Sequence, residues 1–338
     1  MATAPTPSSF IRALPKAELH LHLEGSVTPA TLLDLQQQQG VTGANLASVE
    51  ALYQYTDFTG FLLSFKNITE FLHSPADYEL IAYRLMEQLH AQNVRHAEVI
   101  VSVGVCLWRH FDFDAIFEGL ERARARGEKD FGVSALWIFD AVRQFGPEKA
   151  QAVAELAARY CDRNVVAFGI GGDERRAGPE LFREVYAYAA EQGLHLTAHA
   201  GETVGPESIW GALNLHAERI GHGLTAGQDA ELLQELSQRQ IPVEVCLTSN
   251  LRTGCCLKLE DHPLREFFEH CVMVTLSTDD PAMFGCSLNG EYALAQRLFE
   301  FTDEQLREIA RNSFEASFLP DEKKVEFLNL FDAAVSAP

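Results

Sequence analysis

The chain has 338 residues, 47% of them hydrophobic, which is enough to bury a sizeable core. Its formal charge of −21 argues against sequence-independent contact with nucleic acid or an anionic membrane, both of which need clustered Lys and Arg, and favours a small neutral or modestly charged partner. Seven Cys at irregular spacing and no secretory apolar segment point to reduced thiols in a cytoplasmic protein, and no run of ~18 apolar residues marks a membrane span.

In chain order, residues 1–12 begin in Ala, Pro, Ser and Thr and are expected to form a flexible tail, with a single domain over 13–338. Apolar runs at 17–23, 94–103, 132–140, 165–171, 195–200, 218–221, 242–247 and 272–278 read as strands. Helical periodicity occupies 76–92, 114–127, 147–161, 179–193, 207–216 and 229–240, several of these segments opening on Pro or Asp and closing on Gly or Asn. Strands alternating with helices in this way predict an α/β fold, a (β/α)8 TIM barrel. About seventy residues separate the first two strands, too many for one crossover, so extra helices are expected there. They include the aromatic-rich stretch 53–71, which is placed to cover a site. Thr302-Asp-Glu-Gln305 matches a capping box, and the tail beyond it reads as further helices on the barrel.

The chemistry concentrates at strand ends. His20 and His22 alternate with Leu21 in the first strand, so both imidazoles project from one face roughly 7 Å apart, within reach of one metal ion. A lone His-x-His often sits on a polar strand face without a ligand, and Asp-Asp-Pro or Gly-His-Gly alone is more often a turn. Here His199-Ala-Gly-Glu202, Gly221-His222-Gly223 and Ser277-Thr-Asp279-Asp280 all fall where an apolar strand ends. In such barrels that edge carries the active site. His195, at the opposite end of the fifth strand, reads as structural, as does His262, and Cys246 reads as barrel packing.

With these residues in hand, the chain resembles the adenosine deaminase family of zinc aminohydrolases over nearly its whole length. The resemblance rests on Leu14-Pro-Lys-Ala-Glu-Leu-His-Leu-His-Leu-Glu-Gly25, Gly172-Asp-Glu174, His199-Ala-Gly-Glu202, Arg219-Ile-Gly-His-Gly223, Glu244-Val-Cys-Leu-Thr-Ser-Asn250, Ser277-Thr-Asp-Asp-Pro281 and Asn312-Ser-Phe-Glu-Ala-Ser-Phe318. It implies that His20, His22, His199 and Asp279 bind one Zn²⁺ and leave an open position for the attacking water. Three imidazoles and a carboxylate suit zinc, and Co²⁺, Mn²⁺ or Fe²⁺ are accepted by similar sets. By the same carry-over Glu202 protonates N1 of an aminopurine, His222 stands beside the water, and Asp280 takes its proton or contacts the purine. Gly172 would offer its N–H to the ring, Glu24 would meet the ribose side, and His22 would also line the substrate.

Four readings are weighed beside adenosine turnover, and among them an aminodeoxyfutalosine-type nucleoside stands slightly ahead of adenosine. Binuclear amidohydrolases share the opening His-x-His, but their bridging Lys has no counterpart in 165–174. A non-catalytic nucleoside-binding barrel is disfavoured because every proton-handling residue is present. Within the family, Glu24 stands where many adenosine deaminases have Asp and adenine deaminases have Glu, while Gly172-Asp-Glu174 and Gly221-His222-Gly223 depart from the adenine pattern. Aminodeoxyfutalosine deaminase of menaquinone synthesis takes a nucleoside with a carboxylated 5′ extension. Arg143, just after the third strand, is the candidate cation for that carboxylate.

Overall fold

The apolar runs become eight strands: β1 Lys16–His22, β2 Val94–Val101, β3 Ser134–Val142, β4 Val165–Gly171, β5 His195–Ala200, β6 Arg219–His222, β7 Val243–Val245 and β8 Val274–Leu276. In the computed structural model, which describes residues 5–336, each strand pairs in parallel with the next in sequence. The first and last meet at a bridge between Leu21 and Asp279. There the N–H of His22 donates to the carbonyl of Asp279 at 2.8 Å, and the N–H of Asp279 donates to the carbonyl of His20 at 3.0 Å. The result is the closed (β/α)8 barrel, its strands buried on both faces, as helix-covered parallel sheets require.

The long gap after β1 holds helices at Pro29–Gln38, Leu46–Glu50 and Phe58–Thr69 before the crossover helix Pro75–Ala91. Their ends follow sequence logic: Thr28, Asn45, Asp57 and Ser74 each accept a backbone N–H from the first turn. Tyr55 bridges this insertion to the barrel rim, its hydroxyl donating to the carbonyl of Met283 at 2.9 Å. At the C-terminus, Asp303–Glu315 starts on the predicted Thr302 capping box, and a last helix runs over Asp321–Ser336.

The opening segment departs from expectation. Ser9–Ala13 is helical, capped by Ser8, because Ile11 anchors it in the core and the buried amine of Lys16 donates to the carbonyls of Ile11 and Leu14. Residues 1–4 lie outside the described residues.

The amino end of the barrel is plugged. Phe318 packs against Ile100, Ile138 and Ala167 of the lumen and lies 3.8 Å beneath the guanidinium of Arg219. Its backbone N–H donates to Glu98. With that end filled, open space above the lumen lies at the carboxyl ends of the strands.

Candidate metal centre and active site

His20 and His22 end β1, His199 lies one residue before the end of β5, and Asp279 follows β8. Each offers one ligating atom, and the four atoms lie within 4.8 Å of one another. The ring orientations are those of a metal site. Nδ1 of His20 bonds Glu244 at 2.8 Å, and Nδ1 of His199 donates to the carbonyl of Ile170 at 3.1 Å. Both Nε2 atoms therefore turn inward. Nε2 of His22 and of His199 face each other at 3.1 Å, and the buried Nε2 of His20 has no hydrogen-bond partner. Three converging nitrogens beside a carboxylate are the donor set that Zn²⁺ takes, so the residues present fit the ion.

Charge supports the same reading. Burial pushes His22 down to about 4 and His199 well below the usual imidazole range, so both keep a lone pair for a cation. Burial also works against a proton on His20, yet the Asp279 and Glu244 carboxylates outweigh it and hold the pKa up to about 10. That proton is the one a metal ion displaces. Asp279 sits at φ 63°, a left-handed turn that swings its carboxylate back over the barrel mouth, where Ser249 donates to Oδ2 at 2.6 Å.

A charged column supports the centre from below. Arg219 on β6 lies between Glu98 at 2.5 Å and Glu244 at 2.7 Å, all three almost fully buried, and Glu244 passes the contact on to His20. A Cβ at Gly221 would stand 2.5 Å from Cε1 of His20, so the glycine makes room for the ring. The sequence reading missed this column, although Glu98, Arg219 and Glu244 are each charged residues inside apolar runs.

Around His20, His22, His199 and Asp279 stand Glu202, His222 and Asp280, the groups that the sequence assigns to proton handling. Glu202 and His222 approach to 3.8 Å, and His222 lies 3.9 Å from Asp279. Burial pushes Glu202 well above the usual carboxylate range, with Asp279 and Glu174 adding to the shift, so it remains protonated as a proton donor must. Its backbone is pinned by Glu174, whose carboxylate accepts the N–H groups of Gly201, Glu202 and Thr203 and the hydroxyl of Ser208. Asp280 is buried, its Oδ1 has no hydrogen-bond partner, and burial and the neighbouring Asp279 raise its pKa well above normal. Gly25 makes room for it, since a Cβ there would collide with Oδ1 of Asp280.

A cavity of about 850 Å³ opens outward from Glu202. The Phe58–Thr69 helix lines it through Phe58, Leu62 and Lys66, so the insertion covers the space beside Glu202, and Arg175 and Arg176 line it as well. Glu24 is buried beside β2, accepting the N–H of Ser102 at 3.1 Å, and burial raises its pKa to about 7. Gly172 follows β4 at φ 95° with Gln144 packed over it. Arg143 does not join this cavity. It is 1% exposed and turns inward, donating to the carbonyl of Ala177 at 3.1 Å and to that of His199. At the end of β3 a guanidinium can reach either the rim or the barrel wall, and the carbonyls under His199 claim it. His195 pairs with Glu218 at 2.9 Å on the far side of the barrel, away from the centre, and Cys246 is buried packing, as expected.

A family model described as Adenosine deaminase matches residues 15–334. The chain is 38% identical to an aminodeoxyfutalosine deaminase of Streptomyces coelicolor, the match covering 97% of this chain and 86% of the other. Among solved structures, an adenine deaminase from Arthrobacter aurescens superposes with a TM-score of 0.90 at 31% identity, covering 96% of this chain and 100% of that one. An amidohydrolase from Burkholderia ambifaria with bound Zn superposes with a TM-score of 0.89 at 27% identity, over 99% and 96% of the two chains.

Proposed function

Because the chain belongs to the adenosine deaminase family and carries its metal-coordinating hydrolase site, we propose that it removes the 6-amino group of an adenine nucleoside extended at its 5′ end by an anionic group. A nucleoside of the 6-aminodeoxyfutalosine type is the foremost candidate. Water and substrate give the 6-oxopurine and ammonia. The observation that carries this reading is the cavity: about 850 Å³ is more than a free base fills, and it runs from Glu202 to a rim bearing Lys66, Arg175 and Arg176 on a chain whose net charge is strongly negative. Lys66 and Arg176 make only exposed ion pairs, with Glu70 at 3.8 Å and Asp173 at 3.3 Å, which a substrate anion exchanges at little cost.

His20, His22, His199 and Asp279 would hold the zinc ion, which supplies Lewis acidity and brings a water toward ionisation near neutral pH. Glu202 donates a proton to N1 as C6 is attacked, sparing the ring a full negative charge. His222 orients the attacking oxygen, and Asp280, whose carboxyl would ionise more readily once zinc offset the neighbouring Asp279 charge, receives a proton and returns it to the departing amine. Gly172 and Glu24 are assigned to the purine edge and the ribose side.

Adenine is the second reading, favoured by Glu24, the residue that adenine deaminases share at this position. Ultraviolet-monitored turnover of adenine, adenosine and 6-aminodeoxyfutalosine by the zinc-loaded protein separates them. At least a tenfold preference in kcat/KM for the carboxylated nucleoside is expected, about 1.4 kcal/mol of rim contact, and it should shrink in a Lys66→Ala/Arg175→Ala double variant. Preference for adenine would overturn the nucleoside reading; silence on all three would favour a binding protein.

A further inference from the structure

Asn250 and His262 have no part in the chemistry described so far. Both are buried, Asn250 in the Leu247–Arg252 helix after β7 and His262 ahead of the Leu264–Glu269 helix. Together they form a line that ends on the catalytic imidazole. The N–H of Leu264 donates to Nδ1 of His262 at 3.1 Å. Nε2 of His262 lies 3.2 Å from Oδ1 of Asn250, and Nδ2 of Asn250 lies 3.1 Å from Nδ1 of His222.

The direction of the whole line follows from its one unambiguous member. A backbone N–H can only donate, so Nδ1 of His262 accepts. Burial keeps that ring uncharged, its pKa pushed down to about 3, which places the single ring proton on Nε2. This N–H meets the amide oxygen of Asn250, so the amide NH₂ faces His222. Nδ1 of His222 must then accept, and the proton of that ring resides on Nε2, the atom directed at Glu202 and Asp279.

We propose that Asn250 and His262 are positioning residues that lock His222 as the neutral Nε2–H tautomer, making it a hydrogen-bond donor to the attacking oxygen and leaving proton acceptance to Asp280. The consequence for turnover rests on the deaminase reading; the tautomer itself does not.

The test is ¹⁵N NMR of the histidine rings in the full-length protein. Wild-type His222 should show an unprotonated Nδ1 and a protonated Nε2. In Asn250→Asp the carboxylate can only accept, so Nδ1 of His222 becomes protonated, and kcat/KM falls roughly 10- to 100-fold, the usual cost of an outer-sphere partner. His262→Gln, whose amide supplies both an acceptor and a donor, should keep the wild-type ring pattern, whereas His262→Leu should give mixed tautomers. A wild-type His222 protonated on Nδ1, an unchanged pattern in Asn250→Asp, or a single Nε2–H pattern in His262→Leu would each overturn the proposal. The wild-type spectrum needs no variant to fold. Ring spectra are independent of turnover, so an inactive protein with the expected pattern would count against the deaminase reading alone.

Discussion

Glu244 holds the Nδ1 edge of His20 at 2.8 Å and so turns the opposite nitrogen of that ring toward Asp279. The carboxylate fixes both the tautomer and the tilt of a metal ligand, while Arg219 beneath it holds the carboxylate in place at 2.7 Å. Glu244→Gln should weaken zinc binding roughly 10- to 100-fold in a chelator competition. Unaltered affinity would show that the barrel walls alone orient the ring.

Gly221→Ala tests the same ring from the other side. The added methyl carbon would stand 2.5 Å from His20, and His20, wedged between Glu244 and Asp279, has little room to retreat. Overpacking of this kind costs about 1–3 kcal/mol, so a lower melting temperature together with substoichiometric zinc is expected. Full zinc content at wild-type stability would contradict the close packing described.

Glu202→Gln separates chemistry from binding. Zinc stoichiometry should be unchanged, because Glu202 is outside the ligand set, while kcat falls by roughly 10²- to 10⁴-fold with loss of the proton donor. In the wild type the raised pKa keeps Glu202 protonated through neutral pH, so the rate should fall only as pH climbs past that pKa. A rate that rises across the same limb would assign Glu202 as a base.

Lys16 gives stability a pH dependence. Its pKa is lowered to about 7, first by burial and then by Arg95, with Glu18 opposing, against 10.5 for a free lysine. Between these values the unfolded chain binds the additional proton, so this contribution is complete above 10.5 and is lost as pH falls toward 7. Urea unfolding at both ends of that window should show a rising midpoint in the wild type and a flatter profile in Lys16→Met. Equal slopes would place the charge elsewhere.

Much of this was legible in the sequence because strand alternation and strand ends are local properties. Leu21 between two histidines already places both rings on one face, and the position of Asp279 just past an apolar run already places it at the mouth. What alternation does not encode is depth or partner. Arg143 has the right address for the rim and the wrong direction, since the choice between solvent and the His199 carbonyl is made by β5, more than fifty residues later. Glu174 was seen only as the end of a glycine motif, and its grip on the Glu202 turn appears once β4 and β5 are side by side. Asn250 and His262 look like ordinary core polar residues until the line through Leu264 is traced.

The clasp between Leu21 and Asp279 has a consequence for biosynthesis. The metal ligands are drawn from both ends of the chain, His20 and His22 emerging first from the ribosome and Asp279 last, after all eight strands. A nascent or prematurely terminated polypeptide holds three imidazoles and no carboxylate to complete the set, and its open first strand has no eighth strand to seal against. The full four-residue set therefore comes together only after translation has passed β8, so completion of the metal centre and closure of the barrel depend on the same last strand.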